Sequence, residues 1–108
     1  MVKMHHGRYY FKFLELVKKL RNEDDSCFIC GSTKKVQPHH LQRFKENDQR
    51  YAEESNVVLL CGKHHNMFHQ YYGSGKGVNP KNFSIFVKKE FEKLLQEEKI
   101  LWNTQYLN

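Results

Sequence analysis

The sequence predicts one small α+β domain, with helices at both ends of the chain, two short strands and a further helix between them, and a metal staple. Three observations predict it. Apolar residues recur at helical intervals near both ends of the chain. Two short apolar runs, 36–41 and 57–60, are bounded by turn-forming residues and read as strands. All three cysteines fall at spacings suited to metal ligation. A chain of 108 residues is one domain, spanning 1–108. Within it lie a basic N-terminal helix (1–22), a knuckle and core (27–72) and a C-terminal helix (79–101).

In residues 8–21, Tyr10, Phe11, Leu14, Val17 and Leu20 form one stripe. Lys12, Glu15, Lys18 and Lys19 lie mostly off it, which describes a basic amphipathic helix ending near Asn22. Acidic Glu23, Asp24 and Asp25 follow as a loop. Cys27-Phe28-Ile29-Cys30-Gly31 is a compact turn, and Gly31 supplies the backbone freedom it needs. Residues 42–54 are polar without a sustained apolar period and read as a long loop with room for a helical turn. The β-branched run Val57-Val58-Leu59-Leu60 suits a buried strand. The histidine-rich segment 61–72 is expected to be helical and to end at the glycine-rich connector 73–77. Asn79-Pro80 looks like a helix cap, followed by a stripe of Phe83, Phe86, Val87, Phe91, Leu94 and Leu95 reaching about Ile100. Trp102 and Tyr106 then lie beyond the helix and cover the core or a partner.

Only 39% of the chain is hydrophobic and 28% is charged, so the core is thin and a structural metal adds needed stability. The formal net charge is +6 and the pI about 9.3. Residues 1–21 carry Lys3, Arg8, Lys12, Lys18, Lys19 and Arg21 against the single acid Glu15. Such an excess attracts polyanions, which makes nucleic acid the natural partner; a merely soluble basic surface is the bland alternative. No apolar run approaches the ~20 residues of a membrane span, and no secretory signal is apparent. An odd number of cysteines fits thiols kept for metal in a reducing cytoplasm better than a disulfide framework. The pair His5-His6 is assigned no role.

Cys27 and Cys30 form a CxxC pair, and Cys61 and His64 form a second pair at the same spacing. Two residues between ligands let a tight turn present both side chains to one tetrahedral ion, and two such pairs close a Cys3His zinc site. Buried metal-free thiols are the alternative, as is a redox CxxC, which leaves Cys61 and His64 unexplained. A zinc closed by four protein ligands has no open position, so this site is structural. Four more histidines remain. His65 and His69, four apart, share one face of a helix. His39 and His40 are adjacent, so in a strand they point to opposite faces, whereas a strand end or bulge brings both to one site.

VQPHHLQRF (36–44) followed by SNVVLLCGKHHNMFH (55–69) resembles the HNH endonuclease pattern, in its small phage and bacterial, zinc-knuckle form. The resemblance covers residue 27 to about 72. His64 stands where many members of that family have cysteine. The resemblance implies a ββα-metal (His-Me finger) core flanked by the terminal helices. It further implies His39, His65 and His69 as ligands of one catalytic divalent metal, His40 as general base and Asn56 as the middle letter of the motif, orienting the His40 ring. Three imidazoles make a poor Mg²⁺ site and suit Zn²⁺, Ni²⁺, Co²⁺ or Mn²⁺ better; if His69 packs away, Mg²⁺ gains. The substrate expected is DNA, with RNA left open, held at its phosphates by Arg43, Lys45 and Arg50 and along the first helix by Lys12, Lys18 and Lys19. A homodimer or a larger phage or bacterial protein partner is open. Two rival readings remain: a non-catalytic zinc module binding nucleic acid or protein, and an inactive HNH relative serving as an interaction domain.

Overall fold

Two short antiparallel strands divide the protein into two apolar clusters, and that division places the functional side chains. The computed structural model describes residues 6–106, with side chains as far as residue 97. In chain order the elements are α1 (Tyr10–Glu23), β1 (Gln37–His40), two 3₁₀ turns (Gln49–Ala52 and Glu54–Asn56), β2 (Val57–Leu60), α2 (Gly62–Tyr72) and α3 (Pro80–Tyr106). The fold is α+β, with three helices and one two-stranded sheet among the described residues. The side chains of His5, Trp102 and Tyr106 lie outside the described ones. No helix among the described residues is long and apolar enough to cross a membrane.

β1 pairs with β2 so that Gln37 faces Leu60, His39 faces Val58 and His40 faces Val57. Side chains alternate along a strand, so His39 and His40 leave the sheet on opposite sides. On one side α1 packs Phe13 against Ala52 and Val57, with Leu16, Val17 and Leu20 around them. On the other side Leu60, Phe68, Val78, Phe83 and Phe86 join Cys27, Ile29 and Cys61 in the larger cluster under α2 and α3. Phe68 and Leu60 are fully buried, each stabilising the fold by roughly 1.5–3 kcal/mol.

The α1 stripe is rotated from the expected one. Phe11 and Leu14 are 65% and 43% exposed, while Phe13, absent from the expected stripe, is buried. Phe13, Leu16, Val17 and Leu20 repeat at i, i+3, i+4 and i+7, an equally helical pattern. It prevails because it sets an aromatic ring against Val57 and Ala52 of the sheet side. A similar correction applies to α3: Phe91 and Leu95 are exposed, and Glu90 is buried beside Phe86. α3 also runs on to Tyr106, past the expected end near Ile100, with no glycine or proline in between to stop it. Asn79 caps its start, its Oδ1 accepting from the Asn82 backbone N–H at 2.9 Å.

The turn after α1 is fixed by its own backbone. Gly31 has φ +74, a left-handed conformation that favours glycine. The Gly31 and Cys27 N–H groups donate to the Cys27 and Ser32 carbonyls at 2.9 and 2.8 Å. The Phe28 N–H donates to the Leu59 carbonyl at 2.8 Å, tying this turn to β2.

Candidate metal centres and the cleft beside them

The knuckle turn delivers Cys27 and Cys30, and the start of α2 delivers Cys61 and His64. Cys61 caps α2, its sulfur facing the His64 backbone N–H at 3.5 Å. One ligand atom from each of the four residues lies within 4.8 Å of every other, close enough to hold one metal ion. Cys30 Sγ and Cys61 Sγ are 3.8 Å apart; tetrahedral sulfurs at Zn–S near 2.3 Å are also about 3.8 Å apart. His64 Nδ1 is 3.3 Å from Cys61 Sγ and 3.8 Å from Cys27 Sγ, so Nδ1 is the ring atom offered. Burial opposes ionisation of Cys27, yet N–H groups of Cys61, Cys30 and Ile29 outweigh it and lower the thiol pKa, favouring the thiolate a metal binds. Donor set and spacing fit a structural zinc.

The other nitrogen of His64, Nε2, lies 3.4 Å from Glu90 Oε1 on α3, and Lys93 holds Glu90 Oε2 at 2.9 Å. Both His64 and Glu90 are almost wholly buried. A carboxylate behind a ligating imidazole fixes its tautomer and raises its basicity. Glu90→Gln should therefore weaken zinc binding by roughly 10–100-fold in a chelator competition; unchanged affinity would remove Glu90 from the site. The sequence does carry a signal for it, because Glu90 falls at i+7 from Phe83 and i+4 from Phe86, on the buried stripe.

A second cluster joins β1 to α2. Ring nitrogens of His39, His65 and His69 lie within 4.8 Å of one another. His65 Nδ1 donates to Gln37 Oε1 at 2.6 Å, and His69 Nδ1 donates to the Gly73 carbonyl at 2.8 Å. Both Nε2 atoms are thereby left with lone pairs, and they face each other at 3.1 Å. His39 is 2% exposed, and its Nε2 is buried without a hydrogen-bond partner. Burial, then the neighbouring His65, His69 and His40, push the His39 pKa down to about 3, so the ring is neutral. The unpartnered nitrogen of His39 and the two lone pairs facing each other on His65 and His69 are what a shared cation satisfies, and three imidazoles fit a borderline transition metal. Gln37 and the Gly73 carbonyl were not visible as partners in the sequence, because nothing in the pattern relates them to residues 28 and 4 positions away.

His40, on the opposite side of the sheet, stacks between Phe13 and Tyr51 with ring centroids 4.8 and 4.5 Å away. Its Nε2 donates to the Tyr51 carbonyl at 2.9 Å. A carbonyl only accepts, so Nε2 carries the hydrogen and Nδ1 keeps its lone pair. Burial lowers the His40 pKa, with the Tyr51 carbonyl opposing. Because His40 ends β1, it reaches the same cleft as His39 in spite of the alternation. That open cleft, about 820 Å³, is also lined by His65, His69, Arg43, Lys45 and Tyr51.

Asn56 is buried, but none of its hydrogen bonds goes to the His40 ring. Its Oδ1 accepts from the Gln42 N–H at 2.9 Å, and its Nδ2 donates to the carbonyls of Gln42 and Arg50 at 3.0 and 3.1 Å. The amide thus holds the loop that carries the Tyr51 carbonyl, and acts on His40 only through it. Asn56→Ala should cost about 1–3 kcal/mol, read from the urea midpoint, by orphaning these backbone groups.

Of the expected phosphate contacts, Arg43 and Lys45 line the cleft, with Arg43 Nη1 donating to the Ser74 carbonyl at 3.0 Å. Lys19 pairs with Glu54 at 3.0 Å, and Arg50 is held by both oxygens of Asp48 over the Phe44 ring. Lys12 and Lys18 are exposed on α1 and have no ion pair among the described residues.

Comparison with known proteins finds no matching family model, curated protein or solved structure. The geometry of the two clusters therefore carries the functional reading by itself.

Proposed function

We propose that the chain is a metal-dependent endonuclease of the HNH type, in which β1, β2 and α2 form a ββα-metal core stapled by the zinc knuckle. One observation carries this reading: ring nitrogens of His39, His65 and His69 converge, that of His39 buried without a partner, in the same cleft as a fourth imidazole whose Nε2 is already committed to a backbone carbonyl. His39, His65 and His69 would hold a divalent ion, which when bound would supply positive charge to stabilise the reacting phosphate.

The chain's own residues do the rest. His40 takes a proton at Nδ1 from the water that attacks phosphorus, and its neutral ring suits that task near pH 7. The Tyr51 carbonyl and the flanking rings of Phe13 and Tyr51 hold His40 in one tautomer and one orientation. Asn56 keeps the Tyr51 segment in place. Arg43 and Lys45 draw the phosphate backbone into the cleft, positioning it without reading sequence. The substrate is DNA, with 5′-phosphate and 3′-hydroxyl products.

A non-catalytic zinc module needs only the Cys27, Cys30, Cys61 and His64 cluster. It gives no account of three further imidazoles brought together beside His40. The test is chemical. Purified protein incubated with linear duplex DNA and Mn²⁺ should yield fragments that a ligase rejoins without end repair. Fragments ending in 3′-phosphate would refute the mechanism, and intact DNA in every metal tried would favour the binding module.

A further inference from the structure

Hydrolysis of a phosphodiester needs a group that accepts the water's proton, as His40 does, and gains from a second that gives a proton to the departing oxygen. His6 lines the same cleft as His39, His40, His65 and His69. Glu46 Oε1 lies 3.2 Å from both His6 Nδ1 and the Gly7 backbone nitrogen. The Tyr9 N–H donates to the Glu46 carbonyl at 2.8 Å. A Cβ on Gly7 would collide with the backbone of Glu46 and Asn47, so the chain passes there as closely as glycine allows. Residues 6–9 are thus sewn to residue 46, and the Glu46 carboxylate sits on one nitrogen of the His6 imidazole.

The aromatic contacts place this histidine relative to the base. His6 stacks on Tyr10, with centroids 3.6 Å apart and planes within 6°. His40 stacks on Phe13. Tyr10 and Phe13 are i and i+3 on α1, neighbours on one face at about 5–6 Å between Cβ atoms. The two histidines therefore rest on adjacent platforms of a single helix and line a single cleft. Among the described residues His6 Nε2 has no hydrogen-bond partner, while Nδ1 is held by Glu46.

We infer that His6, oriented by Glu46, is the general acid of this cleft, protonating the departing 3′ oxygen of a phosphodiester. The inference rests on the nuclease reading. In the step, the water oxygen bonds to phosphorus as His40 removes one of its protons. The phosphorus–O3′ bond breaks, and the Nε2 proton of the His6 imidazolium passes to O3′. Solvent then reprotonates His6 and takes the proton from His40. Glu46 keeps the imidazolium paired and its Nε2–H free, which makes it a positioning residue.

The test compares wild type, His6→Gln and Glu46→Gln on a duplex with a normal phosphodiester and on one whose bridging 3′ oxygen is replaced by sulfur. A thiolate leaves without a proton. His6→Gln should lose about 10²–10⁴-fold in kcat on the oxygen substrate, with KM little changed, and cut the sulfur substrate at close to the wild-type rate. Glu46→Gln should show a smaller loss, rescued in the same way. Equal losses on both substrates, or a change in KM alone, would overturn the assignment and leave the nuclease reading standing. Wild type that cuts neither substrate would overturn both. Circular dichroism of each variant shows whether the residue 6–9 strap has cost the fold.

Discussion

Cys27→Ala should unfold the larger cluster and not merely empty a peripheral site. Cys27, Ile29 and Cys61 are themselves buried members of that cluster, packed with Leu60, Phe68 and Phe86. Zinc binding to such a site is worth on the order of 10–16 kcal/mol of apparent free energy in small zinc domains. Small domains have a total stability of only about 5–15 kcal/mol. Losing one of the four ligands leaves too little to hold α2 and α3 on the sheet. The expected result is loss of most helical circular dichroism at 25 °C, with zinc absent from the purified protein, and the same collapse in wild type after chelation. A Cys27→Ala protein that stays folded and zinc-loaded would contradict the staple.

His40→Ala should behave in the opposite way, folded but inactive. The substitution removes the ring between Phe13 and Tyr51 and one hydrogen bond to the Tyr51 carbonyl. By analogy with other large-to-small core changes this costs roughly 2–5 kcal/mol or less, since His40 is only half-buried. Its effect on cleavage should be far larger, about 10²–10⁴-fold in kcat for a lost general base. His40→Gln tests the same point at lower cost to packing. Full activity in either variant would remove His40 from the chemistry.

The parts of this arrangement legible in the sequence are those set by short spacing. CxxC and CxxH fix which side chains come close enough to hold one ion, because each pair needs only a turn or the start of a helix. His65 and His69 are similarly fixed by the period of α2. The alternation of His39 and His40 was also readable, and the strand end resolves it, sending one ring to each side of the sheet and both to the cleft. What the sequence hid depends on how elements pack. The α1 stripe offered two helical solutions, and only the sheet surface chose Phe13. Asn56 carries the expected position in the motif, yet its amide binds Gln42 and Arg50, since the loop of residues 42–52 folds back over it. Gln37 behind His65 and Glu46 behind His6 are long-range partners with no periodic trace. Lys19 and Arg50 read as free cations, and the structure pairs each with a carboxylate.

The most direct measurement is cleavage of supercoiled plasmid by wild type and His40→Ala, each supplied separately with Mg²⁺, Mn²⁺, Ni²⁺, Zn²⁺ or EDTA. Wild type should convert the plasmid to nicked or linear DNA in at least one transition metal and not in EDTA, and the variant should leave it supercoiled throughout. Supercoiled plasmid left intact by a folded, zinc-loaded wild type in every metal, or cut equally by both proteins, would contradict it.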